Sequence, residues 1–252
     1  MVALTALVEY LNELLEPDRF RDYCPNGLQV EGGGEVGFLV SGVTASQSLI
    51  DAAVAAGADA LLVHHGFFWK GENPVITGMK RRRIGALMEA GISLLAYHLP
   101  LDAHPEFGNN VQLARRLGFE ITGRFGPPEM PDLAFEGVLA GAMEMPALLE
   151  QIGVALGREP LWIPGGPARV QRIGWCTGAA QSFIEQAADR GLDAFLSGEV
   201  SEQTTHVARE CGIHFIGAGH HATERYGAEA LGHHLAEHFD LEHRFIDIDN
   251  PA

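Results

Sequence analysis

Short apolar runs alternate with segments of helical periodicity along most of the chain, and this alternation restricts the possible folds more than any other feature. In the first half, strand-like runs at residues 38–43 and 60–63 flank a helix-like segment at residues 46–56. The same order returns later, where a helix-like segment at residues 179–190 precedes a strand-like run at 194–197. Such alternation predicts a mainly parallel sheet with helices packed on its faces, and therefore an α/β protein.

The two halves of the chain also resemble each other in sequence. The aligned segments, at one common offset, are 47–50 with 181–184, and 57–62 with 191–196. Duplication of an α/β unit explains the similarity, and chance similarity between Ala- and Gly-rich segments is the alternative. We predict two related α/β lobes, at residues 1–125 and 126–252, with a boundary in the Pro- and Gly-rich segment 124–136.

Composition narrows the class of protein. The formal net charge of −16 is opposite in sign to that of most nucleic-acid-binding proteins, so binding along a duplex is disfavoured. The three cysteines, Cys24, Cys176 and Cys211, lie far apart and show no CxxC spacing, which indicates a reducing compartment. No apolar run reaches the roughly 18 residues needed to span a membrane, and no secretory leader precedes the first helix-like segment. We therefore predict a cytoplasmic protein without a membrane span.

Three predicted strands end in histidine, and two of these ends are followed closely by a carboxylate. The six residues are His64, His65, His98, Asp102, His220 and Glu224. Ligands of α/β proteins gather beyond the carboxyl ends of parallel strands, so we expect these side chains to meet at a site between the two lobes. The alternative for any single histidine is an ordinary core or surface position, and Asp102 has the alternative role of capping a helix.

Five or six nitrogen and oxygen ligands exceed what one tetrahedral zinc ion needs, and they suit two ions bridged by a carboxylate. Because imidazoles are mixed with carboxylates and no thiolate is near, Fe, Mn or Zn is favoured over Ca. His104 and His221 are expected to line or orient the site. A second group, His233, His234 and His238, lacks a supporting carboxylate and is interpreted as a solvated helix face.

Two further features have more than one interpretation. Lys80, Arg81, Arg82 and Arg83 form a basic run that suits a phosphate group, a solvated helix face or a subunit contact. Glu199 follows the strand-like run at 194–197 and is the candidate general base of a hydrolase. The alternative for Glu199 is a carboxylate that caps a helix or supports a neighbouring ligand.

Several motifs together resemble those of one family. They are PNGLQVEG at 25–32, LVHHG at 62–66, YHLPLDAH at 97–104, GNN at 108–110, SGE at 197–199 and GHHATER at 219–225. This combination resembles the GTP cyclohydrolase 1 type 2 family, also called the NIF-three-like dinuclear-metal family. The resemblance covers nearly the whole chain, which looks like the short form of the family, without the domain that longer members insert between the halves.

The resemblance implies a toroidal homohexamer with a two-metal site facing an inner cavity. The family's metal-ligand pattern falls on His64, His65, Asp102, His220 and Glu224, with Glu224 as the bridge, and it places His98 beside the ions as a supporting residue or an occasional ligand. The family name implies hydrolytic opening of the guanine ring of GTP, although the spacing of the ligands does not itself select GTP. A non-enzymatic metal-handling or partner-binding scaffold is the alternative, and a DNA-associated ring is disfavoured by the acidic charge.

Overall fold

The computed structural model of the protein describes residues 1–127, 130 and 132–252. The strands are β1 Val2–Ala3, β2 Gly27–Val30, β3 Glu35–Val36, β4 Phe38–Thr44, β5 Ala60–His65, β6 Ser93–Ala96, β7 Glu120–Phe125, β8 Ala134–Glu144, β9 Leu161–Ile163, β10 Arg169–Cys176, β11 Ala194–Ser197, β12 His214–Gly217 and β13 Glu242–Phe245. The helices are α1 Leu4–Leu15, α2 Gln47–Ala56, α3 Gly78–Ala90, α4 Leu99–Ala103, α5 Asn109–Leu117, α6 Met145–Leu156, α7 Ile184–Asp189, α8 Glu202–Glu210 and α9 His220–Phe239. Short 3-10 turns lie at Pro17–Arg19 and Gln181–Phe183.

The chain divides into two compact units. The first comprises Met1–Gly108 and Gly227–Asp249, and the second comprises Asn109–Tyr226 and Asn250–Ala252. The predicted lobes have their boundary at residue 125, whereas the chain passes to the second unit after Gly108 and most of α9 returns to the first. None of the helices described has the length and hydropathy that crossing a membrane requires.

The first unit contains a five-stranded sheet in the order β13-β4-β5-β6-β2. All neighbours run parallel except β2, which pairs antiparallel with β6. Adjacent residues of β5 pack on opposite faces, because Leu62 belongs to an apolar cluster with α1 and α9, and Leu61 belongs to a cluster with α2 and α3. The strand that leads to the histidine pair is therefore buried on both faces, as its continuous apolar run predicts.

The second unit contains a six-stranded sheet in the order β7-β8-β10-β11-β12-β9. Only the pairs β10–β11 and β11–β12 are parallel; the other three are antiparallel. The prediction of a mainly parallel sheet is therefore correct for the first unit and wrong for the second. The three missed strands lack a continuous apolar run, since β7 is mostly exposed, β8 contains Gly137 and Gly141, and β9 has only three residues.

The internal similarity in sequence corresponds to a repeated local structure. Asp59 precedes β5, and its Oδ2 atom accepts hydrogen bonds from the backbone N–H groups of Gly37 and Phe38, both at 2.8 Å. Asp193 precedes β11, and its Oδ2 atom accepts two bonds of the same length from Gln171 and Arg172. Three adjacent parallel strands follow the same order in each unit, which is what duplication of an α/β unit predicts.

Candidate metal centre

His64 and His65 are the last two residues of β5, and their rings lie close together although neighbouring strand residues usually point apart. The ring centroids are 4.5 Å apart. His64 is fully buried, and His65 is half-buried with its Nδ1 atom 3.1 Å from Thr44 Oγ1. Gly66 follows at a position where a Cβ atom would overlap the side chain of Gln29, so only glycine fits the turn that ends the strand.

The tautomer of His64 follows from its hydrogen bond. Its Nδ1 atom lies 3.0 Å from the carbonyl oxygen of Tyr97, which can only accept, so Nδ1 carries the proton. The Nε2 atom is then the one that His64 can offer to a metal ion, and it lies 3.5 Å from Oδ1 of Asp102. Two atoms bound to one ion at about 2.1 Å lie roughly 3 to 4 Å apart, so this pair has the separation of two ligands. A backbone carbonyl that fixes a ligating imidazole is a common arrangement in metal sites.

His98 adds a third imidazole to this group. It precedes α4, and its ring centroid lies 5.1 Å from that of His64 and 5.7 Å from that of His65. One ring nitrogen from each of the three histidines lies within 4.8 Å of the others, so the group can hold a metal ion. Asp102 lies within α4 and is buried.

The second unit contributes a histidine and a carboxylate one helical turn apart. His220 is the first residue of α9, and its Nε2 atom lies 3.2 Å from Oε2 of the buried Glu224. Glu199 lies on the other side of the ring, with Oε1 2.7 Å from Nδ1 of His220. His220 and Glu224 thus have the separation of two ligands of one ion, and Glu199 is placed to orient the imidazole.

Gly178, which follows β10, leaves the space in which the Glu224 carboxylate lies. Its φ is +66°, and a Cβ atom there would overlap Oε1 of Glu224 and lie 3.2 Å from Nε2 of His220. The Gly178 loop is held by bonds from its N–H to Thr223 Oγ1, at 3.1 Å, and from Ser197 Oγ to its carbonyl, at 3.0 Å. Because the donors are imidazole nitrogens and carboxylate oxygens in buried or half-buried positions, the residues fit a divalent ion of the Fe, Mn or Zn type.

The two carboxylates beside His220 predict a pH dependence of metal binding. Burial alone would lower the pKa of His220, but the hydrogen bonds and charges of Glu224 and Glu199 outweigh it and raise the pKa from 6.5 to about 9. Metal must displace this proton, so we expect affinity to fall up to about tenfold for each pH unit below that value. Calorimetric titrations of metal-free protein with Zn²⁺ between pH 6.5 and 9 measure this slope.

The raised pKa of His220 stabilises the metal-free protein at low pH, where metal binding is weakened. Its stabilising contribution is complete below the unfolded value of 6.5 and is lost as the pH rises through about 9. The variant His220→Gln serves as the control, because both dependences should be reduced in it. If the metal affinity of His220→Gln changed with pH as steeply as that of the wild type, the pH dependence could not be assigned to His220.

The remaining candidates have other contacts. His104 accepts backbone hydrogen bonds from Glu106 and Phe107 through Nδ1, which stabilises the turn after α4. The prediction of a solvated face is wrong for His234, whose Nε2 lies 2.6 Å from the Tyr10 hydroxyl. Its ring also stacks on Phe107, which packs against the apolar cluster formed by α1 and α9 in the first unit.

The basic run at the start of α3 also has a contact that the sequence did not predict. Lys80 lies 3.1 Å from Oε1 of Glu72 and donates to the carbonyl of Asn73 at 2.9 Å, so it fastens the segment between β5 and α3. Arg81 and Arg82 are exposed. A role for the run in phosphate binding stays a prediction.

Three residues that support the candidate ligands were missed from the sequence: Asp22, Asn26 and Gly178. Asp22 and Asn26 hydrogen-bond to His98 and its neighbour from a distant loop, and Gly178 makes room for Glu224. These three residues lie far along the chain from the ligands that they contact, so the sequence does not reveal the contacts. The only local signal was the turn motif PNG at 25–27, which includes Asn26.

Comparisons with known proteins agree with this architecture. A family model described as Duf34/NIF3 (NGG1p interacting factor 3) matches residues 2–251. A Pseudomonas aeruginosa protein named GTP cyclohydrolase 1 type 2 homolog is 58% identical over 251 residues, which cover 100% of this chain and 99% of that protein.

Solved structures have the same fold. The chain matches one described as protein ybgI, of unknown function, with a TM-score of 0.96, 54% identity and 100% coverage of both chains. It matches the protein TTHA1606 from Thermus thermophilus with a TM-score of 0.90, 33% identity and the same coverage. The resemblance predicted from the motifs is confirmed, and the chain belongs to the DUF34/NIF3 family.

Proposed function

We propose that the protein binds two divalent ions per chain, Fe, Mn or Zn, and uses them to hydrolyse a nucleotide or a related small molecule. The residues that would hold the ions are His64, His65, Asp102, His220 and Glu224. The observation that carries the proposal is the convergence of three imidazoles, with one ring nitrogen from each within 4.8 Å of the others. His64 is fully buried, and its Nε2 atom lies 3.5 Å from Oδ1 of the buried Asp102.

Hydrolysis is the reaction class that this donor set supports best. When bound, divalent ions of this kind activate water as a nucleophile and polarise the group under attack. The name of the P. aeruginosa relative, GTP cyclohydrolase 1 type 2 homolog, supports a purine nucleotide as the first substrate to test. The toroidal homohexamer and the cytoplasmic location stay predictions.

Glu199 has the geometry of a supporting carboxylate, which is the alternative that the sequence left open. Its contact with Nδ1 of His220 at 2.7 Å orients a proposed ligand, so we propose this role for it in place of general base. Glu199→Gln should therefore weaken metal binding by about tenfold. Glu202→Gln, a change at a glutamate whose side chain is 91% exposed, is the matched control and should bind metal as the wild type does.

Turnover of GTP by protein reconstituted with Fe²⁺, Mn²⁺ or Zn²⁺ tests the proposed function, with Glu199→Gln measured at saturating metal. Ring opening or phosphate release that depends on metal supports a hydrolase. If metal saturates the site and neither GTP nor a panel of nucleotides and small phosphate esters reacts, the hydrolase proposal fails and the metal-handling scaffold replaces it. Full loss of turnover in metal-saturated Glu199→Gln would restore Glu199 as the general base.

A further inference from the structure

Asp22 is a carboxylate that accepts four hydrogen bonds although its side chain is only 4% exposed. Its Oδ1 atom accepts from the backbone N–H of Tyr23 at 2.6 Å and lies 2.7 Å from Nδ1 of His98. Its Oδ2 atom accepts from Asn26 Nδ2 at 2.9 Å and from the backbone N–H of Leu99 at 3.0 Å. Asn26 Oδ1 in turn accepts from the backbone N–H of His98 at 2.7 Å.

These contacts require a side chain at position 22 with two oxygens that both accept hydrogen bonds and donate none. The backbone N–H groups of Tyr23 and Leu99 can only donate, and each occupies a different oxygen of Asp22. An asparagine would direct its NH₂ group against one of these donors. Because a backbone N–H donates to each of its two oxygens, the side chain of Asp22 serves as a carboxylate acceptor at both positions.

The carboxylate determines which nitrogen of His98 carries the proton. Because Oδ1 of Asp22 accepts, Nδ1 of His98 must donate, and the lone pair of the neutral ring is on Nε2. With Nδ1 engaged in this way, Nε2 is the atom that His98 offers to the group formed with His64 and His65. The backbone bond to Asn26 restrains the same residue from a second direction.

We propose that Asp22 is a positioning residue that fixes the tautomer and orientation of His98, so that the Nε2 lone pair faces the imidazoles of His64 and His65. Only one part of this proposal rests on the proposed function, namely that the Nε2 lone pair of His98 serves a metal centre. The tautomer itself is a property of the metal-free protein. It can therefore be tested whether or not the protein proves to be an enzyme.

The test is nitrogen NMR of metal-free protein labelled with ¹⁵N-histidine, with the His98 signals assigned from their loss in His98→Gln. In the neutral ring of wild-type His98 we expect the proton on Nδ1 and the lone pair on Nε2. Asp22→Asn should convert His98 to a tautomer mixture or to the Nε2-protonated form. Asp18→Asn removes the same charge at an exposed position in the preceding turn and should leave the wild-type tautomer.

A second readout is the affinity for Zn²⁺ measured by competition with a chelator. Loss of a carboxylate that supports a metal-site imidazole should weaken binding by about tenfold in Asp22→Asn and not in Asp18→Asn. A neutral wild-type His98 ring with its proton on Nε2, or an unchanged tautomer in Asp22→Asn, would overturn the proposal. The tautomer of wild-type His98 is measured without any variant, so the proposal can still be overturned if Asp22→Asn does not fold. Absence of metal binding in every form would instead count against the proposed function and leave the assignment of the tautomer intact.

Discussion

Replacing Gly178 by alanine is expected to weaken metal binding while leaving the protein folded. The added Cβ atom would overlap Oε1 of Glu224 and crowd Nε2 of His220, so two proposed ligands must move. Displacement of ligand groups should lower the affinity for Zn²⁺ or Mn²⁺ by at least about tenfold. The left-handed backbone at φ +66° should also cost roughly 1–2 kcal/mol of unfolding free energy. Calorimetric metal titration and urea denaturation of the metal-free protein measure the two effects.

Gly157→Ala separates backbone strain from the steric effect on the ligands. Gly157 ends α6 with a φ of +71°, and a Cβ atom there would have no neighbour within 4 Å. The two variants should therefore lose similar stability, and only Gly178→Ala should lose metal affinity. Equal metal affinity in the two variants would mean that the space beside Glu224 is not needed for metal.

His64→Ala and His65→Ala are expected to lose metal alike and to differ strongly in stability. His64 is fully buried, and its Nδ1 atom donates to the carbonyl of Tyr97, so alanine leaves a cavity and removes a buried hydrogen bond. We expect a loss of about 2–4 kcal/mol in the unfolding free energy of metal-free His64→Ala. His65 is half-buried beside Thr44, so His65→Ala should cost about 1 kcal/mol or less.

The stability of the two metal-free variants is compared by denaturant unfolding, and their metal content is measured by elemental analysis. His206→Ala is the control, because the His206 side chain is 62% exposed and should change neither quantity. Retention of metal by either ligand variant would remove that histidine from the proposed set. Equal destabilisation of the two would contradict the different burial of their rings.

The sequence predicted correctly those structural features that a local sequence pattern determines. The apolar run at 60–63 becomes the buried strand β5, because a strand covered on both faces needs a continuous apolar sequence. Asp59 and Asp193 occupy the same place in their units, so duplication was visible as a common offset. The histidine-rich strand ends could be found because ligands of parallel sheets gather there.

The features that were missed depend on contacts between distant segments. The antiparallel strands β7 and β8 have no alternating or continuous apolar pattern, and the apolar run of β9 has only three residues. Their structure depends on the strands with which they pair. The role of Asp22 depends on a contact 76 residues away along the chain. Glu199 was recognised as a functional candidate, but only its distance from His220 indicates a supporting role.

The most direct test of the account is elemental analysis of the protein as purified and after reconstitution with Fe, Mn or Zn, beside the double variant His64→Ala, Glu224→Ala. We predict about two transition-metal ions per wild-type chain and loss of both from the double variant. Such a result would establish a metal centre that needs His64, Glu224 or both. Wild-type protein that holds no metal even after reconstitution would contradict the account and its proposed hydrolytic function.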